Sequence, residues 1–273
     1  MRILYIGELV GSPGLYCVKT KIGELREQQQ IDFVIACGDG ATGGFGIGKN
    51  HSIYLHKLGV GAITSGECIY YKKDMVTHIP KAPYVLRPAN YPFGNPGRGW
   101  SLYSTPAGKI GVINLIGQSG FSRSHGNNPF VVAQDLAARL AQETPVIIVD
   151  FHASTTAEKY SMFYLLDGKV TAVLGSHTKV LTADARVLSG GTAVIAGTGR
   201  TGSSYSVGGL DPEIEIRKFR TQIHEPSQVA WRSPELQGVI VEADGAGKAT
   251  GISMVRIACE EAEHDGSGDR PED

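Results

Sequence analysis

Short Ile- and Val-rich runs, each breaking off into glycine or a polar residue, dominate the first half of this chain: Ile3 to Gly7, Phe33 to Cys37, Ala62 to Thr64, Ile110 to Leu115 and Val146 to Phe151. A strand with one wet face alternates apolar and polar residues, so a short run apolar at every position reads as a strand covered on both faces. Helical stretches separate several of these runs. Pro13 to Gln28 carries its proline near the helix start, where the missing N–H costs nothing, and Pro129 to Gln142 carries an apolar stripe of Phe130, Val131, Leu136 and Leu140. The later half is richer in strands, at Val170 to Leu174, Thr192 to Ile195, Gly238 to Glu242 and Ile252 to Ile257, with a helix expected at Pro212 to Arg220. The mixture predicts an α/β protein of two packed sheets flanked by helices.

The 273 residues suit one large domain, expected over 1–259, followed by an acidic tail over 260–273 expected to be disordered. A net charge of -1 lacks the basic excess of a nucleic-acid binder, so no extended nucleic-acid surface is expected. Cys17, Cys37, Cys68 and Cys259 are scattered without CxxC spacing, which argues against a disulfide framework or zinc knuckle and for a reducing, cytoplasmic compartment. The apolar run at the N-terminus is far too short to span a bilayer, and no membrane partner is expected. Gly7-Glu8-Leu9-Val10-Gly11 lacks the Gly-x-Gly-x-x-Gly of a dinucleotide fold, which sets an oxidoreductase of that class aside.

Acidic and imidazole residues follow the apolar runs in widely separated parts of the chain: Glu8, Asp39, Glu67, His152 and His177. Strand C-terminal ends of an α/β sheet gather at one rim, so these side chains are expected to share a cleft. Singly, each reads as a loop cap or structural hydrogen-bonder. As a group they gain weight from His152, which follows Ile147-Ile148-Val149-Asp150-Phe151, where an unpartnered imidazole would be costly. Carboxylates with imidazoles suit a divalent Mn, Fe or Zn.

Longer motifs carry a resemblance to a known family. Met1-Arg-Ile-Leu-Tyr-Ile-Gly7 followed by Val10-Gly-Ser-Pro-Gly14, Leu86-Arg-Pro-Ala-Asn90 with Pro92, Val112-Ile-Asn-Leu115, Asp150-Phe-His-Ala153, Gly175-Ser-His-Thr178, Thr182-Ala-Asp184, Gly191-Thr-Ala193 and Arg217-Lys-Phe219 resemble the YmdB-like metallophosphoesterases from Met1 to about Ile257. The resemblance implies an α/β/β/α sandwich of two mixed sheets, a two-metal centre, hydrolysis of phosphodiesters including cyclic nucleotides, and assembly into homo-oligomers. Small phosphodiesters or nucleotides are the partners it implies.

Against that family pattern the chain departs at most site positions. Glu8 stands where the family has Asp, and Asp39 where it has the bridging Glu, a reciprocal exchange of one methylene. Gly40 replaces an Asn ligand, and Lys179 replaces the last His of a Gly-Thr-His-Thr-His run; an ammonium has no lone pair for a cation. The resemblance therefore implies loss of the first metal and retention of the second by Asp39, Glu67, His152 and His177, giving one or two ions. Glu67-Cys68 replaces an Asn-His pair. Cys68 is a candidate nucleophile if its thiol pKa were lowered and otherwise a buried inert cysteine, Glu8 is a candidate to orient water or a weak second ion, and Lys179 is a candidate to steady phosphate charge. Lys72, Lys73, Arg87 and Arg200 are further candidates for phosphate contact or for surface and packing roles. Two functions stay open: a metal-dependent phosphodiesterase with an altered site, and a non-catalytic protein that keeps the fold to bind a nucleotide or protein partner.

Overall fold

A computed structural model of the chain describes residues 1–121 and 126–260. In chain order its elements are β1 (Arg2–Ile6), β2 (Glu8–Leu9), α1 (Gly11–Gln28), β3 (Phe33–Cys37), α2 (Lys49–Lys57), β4 (Ala62–Thr64), α3 (Lys73–His78), β5 (Trp100–Thr105), β6 (Gly108–Ile116), α4 (Pro129–Leu140), β7 (Ile147–His152), α5 (Thr156–Leu166), β8 (Ala172–Ser176), β9 (Arg186–Val187), β10 (Ala193–Ile195), β11 (Arg200–Ser203), α6 (Pro212–Thr221), β12 (Pro234–Ala243) and β13 (Ala249–Ala258). Among the described residues, one sheet runs β2-β11-β12-β1-β3-β4 with β13 paired to β12, and the other runs β5-β6-β7-β8-β10-β9. No helix among them is long and apolar enough to cross a membrane.

Successive strand residues point to opposite faces, and the buried side chains divide accordingly. Ile3, Tyr5, Phe33, Ile35, Ile110, Val112, Ile148 and Leu174 pack between the two sheets. Their neighbours Leu4, Ile6, Val34 and Ala36 face the other way and pack with Leu15, Val18, Ile22 and Leu25 of α1. On the far side, Ile113, Leu115, Val149, Phe151 and Val173 meet Ala137 and Leu140 of α4 and Met162, Phe163 and Leu166 of α5. Three cores sandwiched by four layers make the expected α/β/β/α arrangement.

Helices α4, α5 and α6 begin where side-chain oxygens take up free N–H groups. Asn128 accepts from Phe130 N ahead of Pro129, Thr155 accepts from Glu158 N, and Asp211 accepts from Glu213 N and Ile214 N ahead of Pro212. One expected detail is corrected. Of the expected stripe, Leu140 is buried in the core and Phe130 and Leu136 pack against it partly covered, while Val131 is exposed and Ala133 and Ala137 complete the contact. Apart from Glu260, the expected acidic tail lies outside the described residues.

Candidate functional site

Parallel pairing fixes where the site residues meet. β1, β3 and β4 run parallel in one sheet, and β6, β7 and β8 run parallel in the other. The C-terminal ends carry Glu8 beyond β1, Asp39 beyond β3, Glu67 beyond β4, His152 at the end of β7 and His177 beyond β8. The sandwich brings all five together. His152 Nε2 lies 2.9 Å from Glu67 Oε2, 3.6 Å from Asp39 Oδ2 and 3.2 Å from His177 Nδ1, and His177 Nδ1 lies 3.6 Å from Glu67 Oε1. Glu67, His152 and His177 form one group able to hold a metal ion, and Asp39, Glu67 and Cys68 form another that overlaps it.

Each of these side chains is oriented from behind. Asp39 Oδ1 accepts from the backbone N–H of Gly66 at 2.6 Å and of Cys68 at 3.2 Å. Tyr5 donates to Asp150 Oδ2 at 2.6 Å, and Ser176 Oγ donates to Asp150 Oδ1 at 2.7 Å. With its own proton so engaged, Ser176 Oγ accepts from His152 Nδ1 at 2.9 Å, which turns Nε2 toward the acidic cluster. Gly66 lies flat against this imidazole, and a Cβ there would overlap Nε2 and its neighbouring ring carbons. Phe121 packs its ring 4.8 Å from that of His177 and 6.1 Å from that of His152.

The electrostatics are those of crowded charges away from water. Burial pushes the Asp39 carboxyl up to about 7 against the pull of His152, with Glu67 and Glu8 adding to the rise. For Glu67 burial acts the same way, but the hydrogen bond and charge of His152 prevail and bring it to about 2. Burial works against the charged form of His152, and its three acidic neighbours outweigh it and raise the imidazole to about 9. Burial and the charge of His152 lower His177 to about 4.

A second corner of the rim is arranged differently. Lys179 Nζ reaches Glu8 Oε1 at 3.2 Å, and Glu8 is 2 % exposed. The carboxylate raises the Lys179 pKa, so the ammonium stays charged. Glu8 Oε2 is buried and has no hydrogen-bond partner among the described residues. A Cβ on Gly40 would stand 2.8 Å from Leu9 O and 3.2 Å from Glu8 Oε1. The longer Glu8 thus reaches into the space that a side chain at position 40 would need.

Cys68 is buried, and burial together with Asp39, Glu67 and Glu8 pushes its thiol up, the opposite of what activates a nucleophile. Arg200 Nη1 donates to Lys179 O at 3.4 Å, and Arg87 Nη1 donates to Pro88 O at 2.7 Å. Lys72 is half-buried and Lys73 exposed. Asn90 and Asn114 serve the backbone, as polar residues at strand ends often do: Asn114 donates to Ser65 O and Leu86 O, and Asn90 binds both backbone groups of Ile116. Sequence reasoning missed Tyr5, Asp150 and Ser176 as supports of His152. Asp150 lay in plain view two residues before it, on the same face of β7.

Known proteins resemble this chain along nearly its whole length. Residues 4–255 match the family described as YmdB-like protein. A Bacillus subtilis protein named 2',3'-cyclic-nucleotide 2'-phosphodiesterase is 38% identical over 257 residues, covering 94% of this chain and 96% of the relative. A crystal structure described as a novel phosphatase from Mycoplasma pneumoniae superposes with a TM-score of 0.89 at 31% identity, covering 94% of this chain and 93% of that one. A hypothetical protein from Thermus thermophilus superposes with a TM-score of 0.87 at 28% identity, covering 94% and 99% respectively.

Proposed function

This chain belongs to the YmdB-like family, and from that premise we propose that it hydrolyses small phosphodiesters of the cyclic-nucleotide class with one divalent ion held by Asp39, Glu67, His152 and His177. The observation that carries the reading is the convergence on His152 Nε2 of two carboxylates and a second imidazole, all within 3.6 Å. Two carboxylates and two imidazoles suit Mn, Fe or Zn, and the ion would take the place of the proton that His152 now shares with Glu67. When bound, such an ion polarises a phosphoryl oxygen and brings the pKa of a bound water into a usable range.

The chain's own residues do the rest. Asp39 is held by two backbone N–H groups, and His152 by the Ser176–Asp150–Tyr5 chain, so two of the four ligands are fixed before any ion arrives. Lys179 presents a fixed positive charge at the rim, suited to a non-bridging phosphoryl oxygen as negative charge builds on it. Glu8 holds that ammonium in place through Oε1. Water adds to phosphorus, one ester bond breaks, and a phosphomonoester and a free hydroxyl result. Cys68 takes no covalent part in this scheme. The reading of a fold kept for binding without turnover finds no support, since the Bacillus subtilis relative that spans nearly the whole chain is named as a phosphodiesterase.

The test is hydrolysis of 2',3'-cyclic AMP by protein loaded with Mn, Fe or Zn, beside His152→Ala, with metal content measured on the same samples. Turnover that needs metal and vanishes with it in the variant is the expected result. Metal-free protein with undiminished turnover, or metal-loaded protein with none, overturns the reading.

A further inference from the structure

Lys159 is 0 % exposed, and no ion pair holds its ammonium among the described residues. Instead Nζ donates to Ser176 O at 2.9 Å and to Ala196 O at 2.7 Å, with Thr178 Oγ1 at 3.5 Å. Burying a charge in this way is costly, so a stability role alone gives no reason for it: an apolar side chain of the same length would fill the space at less expense.

Two of its partners lie at the end of β8 and in the turn beyond it, and the third follows β10. Ser176 and Thr178 bracket His177, and His177 and Lys179 both lie in the left-handed region, with φ of 80° and 55°. Such backbone is strained for residues with a Cβ and persists only where its surroundings hold it. Lys159 is the group that holds this turn from inside. Through the same residue it also reaches His152, because the Ser176 whose carbonyl it grips offers its hydroxyl oxygen to His152 Nδ1.

The preceding residue grips the opposite side. Glu158, 8 % exposed, accepts from Gln118 N at 2.6 Å and from Ser119 N at 3.3 Å, anchoring the segment that leads to Phe121 and its ring against His177. Both side chains issue from the first turn of α5, which Thr155 caps.

Resting on the proposed metal site, we infer that Glu158 and Lys159 are paired positioning residues, Lys159 clamping the turn that carries His177 and Lys179 and Glu158 clamping the segment whose Phe121 packs on His177. Neither touches substrate or ion. Their contribution is preorganisation, which a supporting residue of a metal ligand typically makes at the level of about 10- to 100-fold in metal affinity.

The experiment compares the whole protein with Lys159→Met, Lys159→Arg and Glu158→Gln. Three quantities are read: the dissociation constant for Mn(II) alone, kcat and KM for 2',3'-cyclic AMP, and the ring 1H–15N spectra of the histidines. In Lys159→Met the expected result is Mn affinity lower by about 10-fold or more, kcat reduced more than KM is changed, and a shifted His177 ring. Lys159→Arg is expected to recover most of the affinity. Mn affinity and ring spectra unchanged in folded Lys159→Met, even with a lowered Tm, overturn the inference. Should Lys159→Met not fold, the same unchanged readings in Glu158→Gln overturn it. Wild-type protein that takes up no Mn sinks the functional reading instead; the ring spectra still decide the clamp, which fails if they do not move in either variant.

Discussion

Two corners of one rim balance their charge in opposite ways. Around His152, the carboxylates of Asp39 and Glu67 face imidazoles, whose ring nitrogens can give up a proton and offer a lone pair in its place. At Glu8, the balancing cation is Lys179, tied to the backbone and lying 3.2 Å from the carboxylate. An exchangeable cation has an affinity and can be removed; a covalently attached one has neither property. The Glu8 corner is also closed sterically, because Glu8 Oε1 and Leu9 O crowd the space above Gly40. The difference teaches that a fixed cation is a property of several residues together, since the length of Glu8, the bare Cα of Gly40 and the reach of Lys179 fit one another.

The contrast breaks most completely at Gly66. Gly66→Ala drives a methyl group into the His152 ring, so the exchangeable corner is expected to lose both Mn binding and turnover while Lys179 and Glu8 keep their contact; metal content and activity of the purified variant check it. Next in size is conversion of one corner into the other. Combining Glu8→Asp and Lys179→His while keeping Gly40 is expected to raise Mn stoichiometry from one to two per chain, measured by elemental analysis, whereas Lys179→Met alone leaves Glu8 buried and unpaired and costs on the order of 3 kcal/mol in denaturant unfolding. An unchanged stoichiometry in the double variant would show that the corner is closed by more than these two side chains. Asp150→Asn should weaken Mn binding by about 10- to 100-fold, because the hydrogen-bond chain that sets the His152 tautomer is broken, with calorimetric titration as the check.

The smallest effect concerns Lys159, whose burial lowers its pKa from an ordinary 10.5 to about 8. The sign follows from the lowered value: the penalty for burying the ammonium is fully present below about pH 8 and is relieved as pH rises toward the unfolded value. Wild-type stability relative to Lys159→Met is therefore expected to rise between about pH 8 and 10.5, by less than about 3 kcal/mol, in paired urea titrations.

Legibility in the sequence also differs from region to region. The first-half strands are readable because their apolar runs are continuous, and β1, β3, β4, β6 and β7 lie within a residue or two of the expected runs. The two-residue strands β2 and β9, and the helices α2 and α5, are not, because short or evenly mixed segments carry no periodic signal and owe their form to neighbours. Strand-end position alone singles out Glu8, Asp39, Glu67, His152 and His177. It does not find Lys159 or Glu158, which sit at the start of a helix and look in sequence like ordinary surface charges.

The order of residues by itself determined the layered architecture and the rim at which the acidic and imidazole groups gather, since strand period and parallel connection follow from local pattern. Whether Lys179 would lie against Glu8 or Glu67, and whether Cys68 would be activated or silenced, only the tertiary structure decided. Those outcomes depend on distances of a few ångströms between chain segments far apart in sequence. At such separations, burial sets the strength of every charge.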